Sequence, residues 1–144
     1  MIEELGAGPV ALDTAPFIYF IQEDARFLPV VEPIFHGIDS GRWRAVSSSI
    51  TLLETLVIPY RVGDLELAER YEALLTRSRG LYLVDLSTPL LRAAAHLRAK
   101  LGIKTPDALQ LAAALSERCR VFVTNDRRLP ELPGLRIISL STYV

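Results

Sequence analysis

The sequence has a single cysteine, Cys119, among its 144 residues. That excludes an intramolecular disulfide and any cysteine-rich zinc module. Its two histidines, His36 and His96, lie too far apart in sequence to form a zinc-ligand pair. No apolar run is long enough to span a bilayer, and the opening MIEEL is acidic where a secretory signal would be basic. A large excess of either charge is missing too: 16 Lys+Arg stand against 17 Asp+Glu, a net charge of -1. Total charge therefore gives no sign of a nucleic-acid partner. There is no G-x-S-x-G and no Walker A sequence. The glycine pattern at Gly6, Gly8 and Ala11 precedes its apolar run rather than following it, so it is not a dinucleotide fingerprint. These absences lead to the expectation of a reducing, cytoplasmic setting and of chemistry that uses no side-chain nucleophile.

Half of the residues are hydrophobic and 23% are charged, with a mean hydropathy of +0.27. That composition supports a packed core without a stapling metal, and the length suits one domain over 1–144. The charges divide along the chain. Residues 1–76 carry five basic and twelve acidic side chains, whereas residues 77–144 carry eleven basic and five acidic. Such asymmetry can mark a surface for a polyanion, but folding can equally mix the two halves in space.

Short apolar runs alternate with helical patterns. Val10–Leu12 reads as a strand, followed by a helix from Pro16 through FIYFIQ. A helix is expected around Val30 to Ile38 with its end at Gly41, then a strand over Arg44 to Ser47 and a helix over Ile50 to Ile58. An amphipathic helix follows from Asp64 to Arg77, with Leu67, Tyr71, Leu74 and Leu75 on one side. Leu81–Val84 reads as a strand. Thr88-Pro89 and Thr105-Pro106 start two further helices, the first closed by Gly102 and the second apolar on most sides through Leu115. Val121–Val123 and Leu135–Ile138 complete the strands. Short, continuously apolar strands alternating with helices predict an α/β fold with a mostly parallel sheet covered on both faces. In such sheets ligands bind beyond the C-terminal strand ends.

Four carboxylates stand at or near those ends. Asp13 follows the first strand directly, and Asp126 follows Thr124-Asn125 after a later one. Each alone is explained by a turn or a helix cap, and Asp107 alone by the dipole of the helix it opens. Glu54 is different: at helical spacing it shares a face with Ile50, Val57 and Ile58, where a lone carboxylate is costly. A capping box from Thr51 to Glu54 is the rival explanation, but the helix it leaves is short. Converging carboxylates repel one another unless a cation joins them, and hard oxygen ligands select Mg²⁺ or Mn²⁺. Such a centre activates water and neutralises the charge that develops on a phosphodiester. Lys104, Arg127 and Arg128 flank the acids and could hold a phosphate backbone or merely solvate turns. Arg42-Trp43-Arg44 offers either a base-stacking contact or packing. Leu52, Leu56 and Tyr60 could line a groove for a partner helix.

Asp13 in LDTAPFIYF, Glu54 in SSSITLLETL, Asp107 in KTPDALQLAAAL and Asp126 in VFVTNDRRL occur in the order and contexts of the PIN-domain ribonucleases. Together with length and element order, they make the chain resemble the VapC-type toxins of that family over nearly its whole length. The resemblance implies a three-layer α/β/α fold, Mg²⁺- or Mn²⁺-dependent RNA cleavage, homodimerisation, and neutralisation by a cognate antitoxin. It places Asp13, Asp107, Glu54 and Asp126 at the metal, with Thr124 supporting the pocket. Two other readings remain: a PIN-like domain that binds RNA or protein without cutting, and a phosphotransfer or phosphatase domain. The second usually wants another acid soon after the first, where this chain has Thr14 and Ala15.

Overall fold

The computed structural model describes residues 1–126 and 128–144, so Arg127 lies outside the described residues. Five strands form one sheet: β1 (Val10–Leu12), β2 (Ala45–Ser48), β3 (Leu81–Val84), β4 (Val121–Thr124) and β5 (Arg136–Ser139). Their order is β3-β2-β1-β4-β5, and every pairing is parallel. Six α-helices connect them: α1 (Thr14–Ile21), α2 (Leu28–Asp39), α3 (Ile50–Val62), α4 (Leu65–Arg77), α5 (Thr88–Leu101) and α6 (Thr105–Ser116). No helix among the described residues is long and apolar enough to cross a membrane.

The alternation of side chains along each strand divides the core into two layers. Val10 and Leu12 of β1 and Val121 and Val123 of β4 pack with Phe17, Val31, Ile34 and Leu75, from α1, α2 and α4. Ala11 and Phe122 point to the other face, where they meet Leu90 and Ala94 of α5 and Leu111 and Ala112 of α6. The result is the expected α/β/α sandwich. β1 and β4, buried along their whole length, lie at its centre. The register Leu12↔Val123, with Asp13 N donating to Val123 O at 2.9 Å, sets the end of β1 beside that of β4.

Most expected boundaries agree with the structure to within a residue or two, and the exceptions have physical causes. α3 was expected to stop at Ile58, before a proline, but continues through Pro59 to a left-handed cap at Gly63 (φ 75°). Pro59 is buried there, and the helix loses only the bond its missing N–H would have made. Lys104, in an extended conformation, is the cap of α6, not Thr105, which opens the helix. The charge and stripe arguments for α3 also change. Its buried face is Thr51, Thr55 and Pro59, while Val57 and Ile58 are 40% and 61% exposed. Glu54 therefore does not sit in a buried apolar stripe.

Trp43 packs inside the fold at 2% exposure, its Nε1 donating to Ile34 O at 3.2 Å. It is not free to stack on a base, and Arg42 lies over its ring at 4.9 Å. The indole fits because position 37 of α2 is glycine: a β-carbon there would overlap the six-membered ring of Trp43. Gly37→Ala is expected to destabilise the fold by about 1–3 kcal/mol through overpacking, despite alanine's better helix propensity. Chemical denaturation checks this, and an unchanged or raised midpoint would contradict the packing argument.

Candidate active site

Asp13 caps α1 as β1 ends. Its Oδ1 accepts from Thr14 N at 2.8 Å and its Oδ2 from Thr124 Oγ1 at 2.8 Å. Thr124, fully buried at the end of β4, also accepts from Asp126 N at 3.0 Å. One threonine hydroxyl thus ties the carboxylate leaving β1 to the backbone carrying the acid beyond β4. Burial raises the Asp13 pKa above the ordinary aspartate value, against the lowering effect of its two hydrogen bonds, and the charges of Glu54 and Asp126 add to the rise.

Asp107 occupies the first turn of α6, and no side chain among the described residues donates to it. Its pKa is also raised, first by burial and then by the negative charges of Asp13 and Asp126. Glu54, on α3, accepts a 2.7 Å hydrogen bond from Thr14 Oγ1. That bond reaches across to α1, and no bond back to Thr51 N forms, so the capping-box alternative is not realised. Asp126 is held differently. Arg128 donates to it from Nε at 3.1 Å, from Nη2 at 3.3 Å and from its backbone N at 2.9 Å, which lowers the Asp126 pKa.

Asp13 thus feels the charges of Glu54 and Asp126, and Asp107 those of Asp13 and Asp126, around the C-terminal ends of β1 and β4. Lys104, Asp107, Asp126 and Arg128 line a cavity of about 280 Å³ with Leu101, Ile103 and Leu129, so two of the expected cations border the acids. Arg127, the third, lies outside the described residues. Cys119 is buried and its thiol is pushed up to about 11 by that burial, so it is protonated at neutral pH.

The donor set fits a hard divalent cation: every member is an anionic oxygen, and Asp13 and Asp107 are burdened by mutual repulsion that a cation would relieve. Among the described residues no three His, Cys, Asp or Glu side chains form a ready-made cage, and Asp126 is already engaged by Arg128. Binding would require the carboxylates to turn toward one another.

The sequence reading missed the floor of the site. Ser47, Thr51 and Gln110 are buried beneath Thr14 and Glu54 in a continuous hydrogen-bonded group. The available signals were the run Ser47-Ser48-Ser49 and a lone glutamine in the otherwise apolar α6, both too common to single out.

A sequence model of the PIN domain matches residues 10–135. The chain belongs to the PIN domain family. No curated protein matches it by sequence. Among solved structures, this PIN domain is similar to a toxin–antitoxin complex from Klebsiella pneumoniae, with a TM-score of 0.69 and 18% identity over 92% of this chain and 98% of that one. It is also similar to VapBC2 from Rickettsia felis, solved with a DNA fragment from its promoter (TM-score 0.68, 19% identity, 90% and 97% covered). A third is VapC20 of Mycobacterium tuberculosis, a toxin that cleaves the sarcin–ricin loop (TM-score 0.69, 13% identity, 83% and 92% covered). At these identities the likeness is one of fold, and the fold of this PIN domain is that of the VapC-type toxins.

The raised Asp107 pKa has a consequence for stability. The folded state holds this proton more tightly than the unfolded chain, so ionised Asp107 destabilises the metal-free protein at neutral pH. Asp107→Asn is expected to raise the Tm of metal-free protein at pH 7. The gain should shrink as pH falls through the raised carboxyl value and vanish below the unfolded-state value near 3.8. Thermal melts of both proteins across pH check it, and a lower Tm for the variant at pH 7 would contradict it.

Proposed function

We propose that this PIN domain, as one unit over residues 1–144, is an endoribonuclease dependent on Mg²⁺ or Mn²⁺ and the toxin of a toxin–antitoxin pair. The observation that carries the reading is the pair Asp13 and Asp107. Both are pushed toward protonation by burial and by neighbouring acids, at the rim where parallel sheets bind ligands. Uncompensated acids in that position are a poor arrangement for stability and a good one for holding a cation.

Asp13 and Asp107 would be the principal metal ligands, with Glu54 completing the cluster. A bound divalent ion would supply charge neutralisation at the phosphodiester and lower the pKa of water. Thr124 holds Asp13 in place, so that one carboxylate oxygen is fixed before substrate arrives. Arg128 and Lys104 border the acids and would take the RNA phosphates. Arg127 is proposed for the same role on its sequence position alone. When Arg128 turns to a phosphate, Asp126 is released to orient water or a second ion.

The toxin assignment is supported by the toxin–antitoxin complex from Klebsiella pneumoniae and the VapBC2 and VapC20 structures, which share this fold. Leu53, Val57, Ile58, Tyr60 and Val62 stay exposed on α3, an apolar surface suited to an antitoxin and to a second copy in a homodimer. We place the protein in the cytoplasm, where its RNA substrate and antitoxin would be. A non-catalytic RNA- or protein-binding domain is the rival reading. The presence of all four acids, with Asp13 and Asp107 each raised by the charges of neighbouring acids, favours cleavage.

The test is cleavage of a panel of structured and single-stranded RNAs with Mg²⁺, Mn²⁺ or EDTA. Wild type should cut only with metal. Asp13→Asn and Asp107→Asn should lower kcat by about 10²–10³-fold, the scale for losing one stabiliser of transition-state charge. Lys104→Ala and Arg128→Ala should chiefly raise KM and flatten its salt dependence. RNA binding without metal-dependent cutting by wild type would establish the binding-only reading instead.

A further inference from the structure

The shortest contacts in the group beneath the acids arrange its protons in a chain that ends on Glu54. Ser48 N donates to Gln110 Oε1 at 3.0 Å, which fixes the orientation of the Gln110 amide: the flipped form would set two donors against each other. The Gln110 Nε2 protons are therefore available to Thr51 Oγ1, at 2.7 Å, and to Thr14 Oγ1, at 3.5 Å. Ser47 Oγ lies 2.8 Å from Leu12 O and 3.4 Å from Gln110 Oε1, both acceptors, and its single proton goes to the nearer, Leu12 O. Ser47 must then accept from Thr51 Oγ1 at 2.7 Å, which uses the Thr51 proton. Thr14 stands 3.3 Å from Thr51, but Thr51 has no proton left for it. The Thr14 proton is directed to Glu54 Oε1, at 2.7 Å, and the amide of Gln110 is what remains to donate to Thr14.

We propose that Gln110 is a positioning residue. Its amide backs the Thr14 hydroxyl, which donates to Glu54, and so holds Glu54 as an oriented acceptor facing the cluster. Gln110, Thr51, Ser47 and Ser48 are each no more than 2% exposed, so the amide itself is held without help from water. The relay also joins α6, which carries Asp107, to β2, α3 and the end of β1, which carries Asp13. Of the acids, Glu54 is the one whose carboxylate the relay holds directly. The assignment of Glu54 to a metal rests on the proposed nuclease reading, whereas the relay itself does not.

Two measurements separate the two. In metal-free protein, the hydroxyl protons of Thr14 and Thr51 should exchange slowly enough to be seen by NMR, with cross-relaxation to the Gln110 amide. Gln110→Met, close in volume, should abolish the Thr14 hydroxyl signal while a cooperative thermal melt persists. Gln110→Glu, which keeps the shape and the acceptor for Ser48 N, should do the same at neutral pH and serves if the Met variant does not fold. Mn²⁺ titration should then show affinity lowered about tenfold by Gln110→Met in the wild-type background and unchanged by it in the Glu54→Gln background. A persistent Thr14 hydroxyl signal in both variants, or an equal affinity loss in both backgrounds, overturns the assignment. Loss of the signal in variants of a protein that binds no Mn²⁺ would support the relay and overturn the metal reading.

Discussion

Repulsion among carboxylates is the constraint around which this site is built. Asp13 and Asp107 are half-buried, and each has its pKa raised by burial and by neighbouring acids: Glu54 and Asp126 for the first, Asp13 and Asp126 for the second. Left to themselves, such groups would turn outward into water or hold their protons. The fold opposes both escapes with hydroxyl donors. Thr124 and the Thr14 backbone grip Asp13, and the Thr14 side chain grips Glu54. The two bonds to Asp13 favour the charged form that burial disfavours. Asp13 and Glu54 are thereby oriented, while Asp107 is placed by the first turn of α6.

The sheet supplies the rigidity for this. β1 and β4 are covered on both faces, and their pairing fixes where Asp13 and Thr124 emerge. A shift of register there would move Thr124 away from Asp13 and turn its side chain to the opposite face. Residues that never approach substrate, such as Trp43 seated over Gly37, keep the layers at their spacing and thereby serve the chemistry at a distance.

Much of this was legible in the sequence, because it depends on local pattern. The strand at Val10–Leu12, the Pro-initiated α5 and α6 and the four acids in their contexts are all short-range signals. The length of α3 was not legible: a proline normally marks an end, and only the surroundings of Pro59 reveal that the helix tolerates it. Glu54 was singled out partly for a wrong reason. Of its apolar neighbours on α3, Val57 and Ile58 face outward, and its true partner, Thr14, is 40 residues away. Gln110 was not legible for a related reason. Its meaning comes from Ser48, Thr51 and Thr14 gathered from three other elements, and no spacing rule connects them.

The order of elements also bears on when the site can exist. Asp13 is made 111 residues before the hydroxyl that holds it, on β4, and its own backbone N–H bonds to Val123. Until the ribosome has delivered β4, β1 has no neighbour on one side and its carboxylate has no fixed direction. A nascent chain that stops short of β4 therefore carries three of the acids without the arrangement that orients Asp13, which forms only when β4 slots in beside β1.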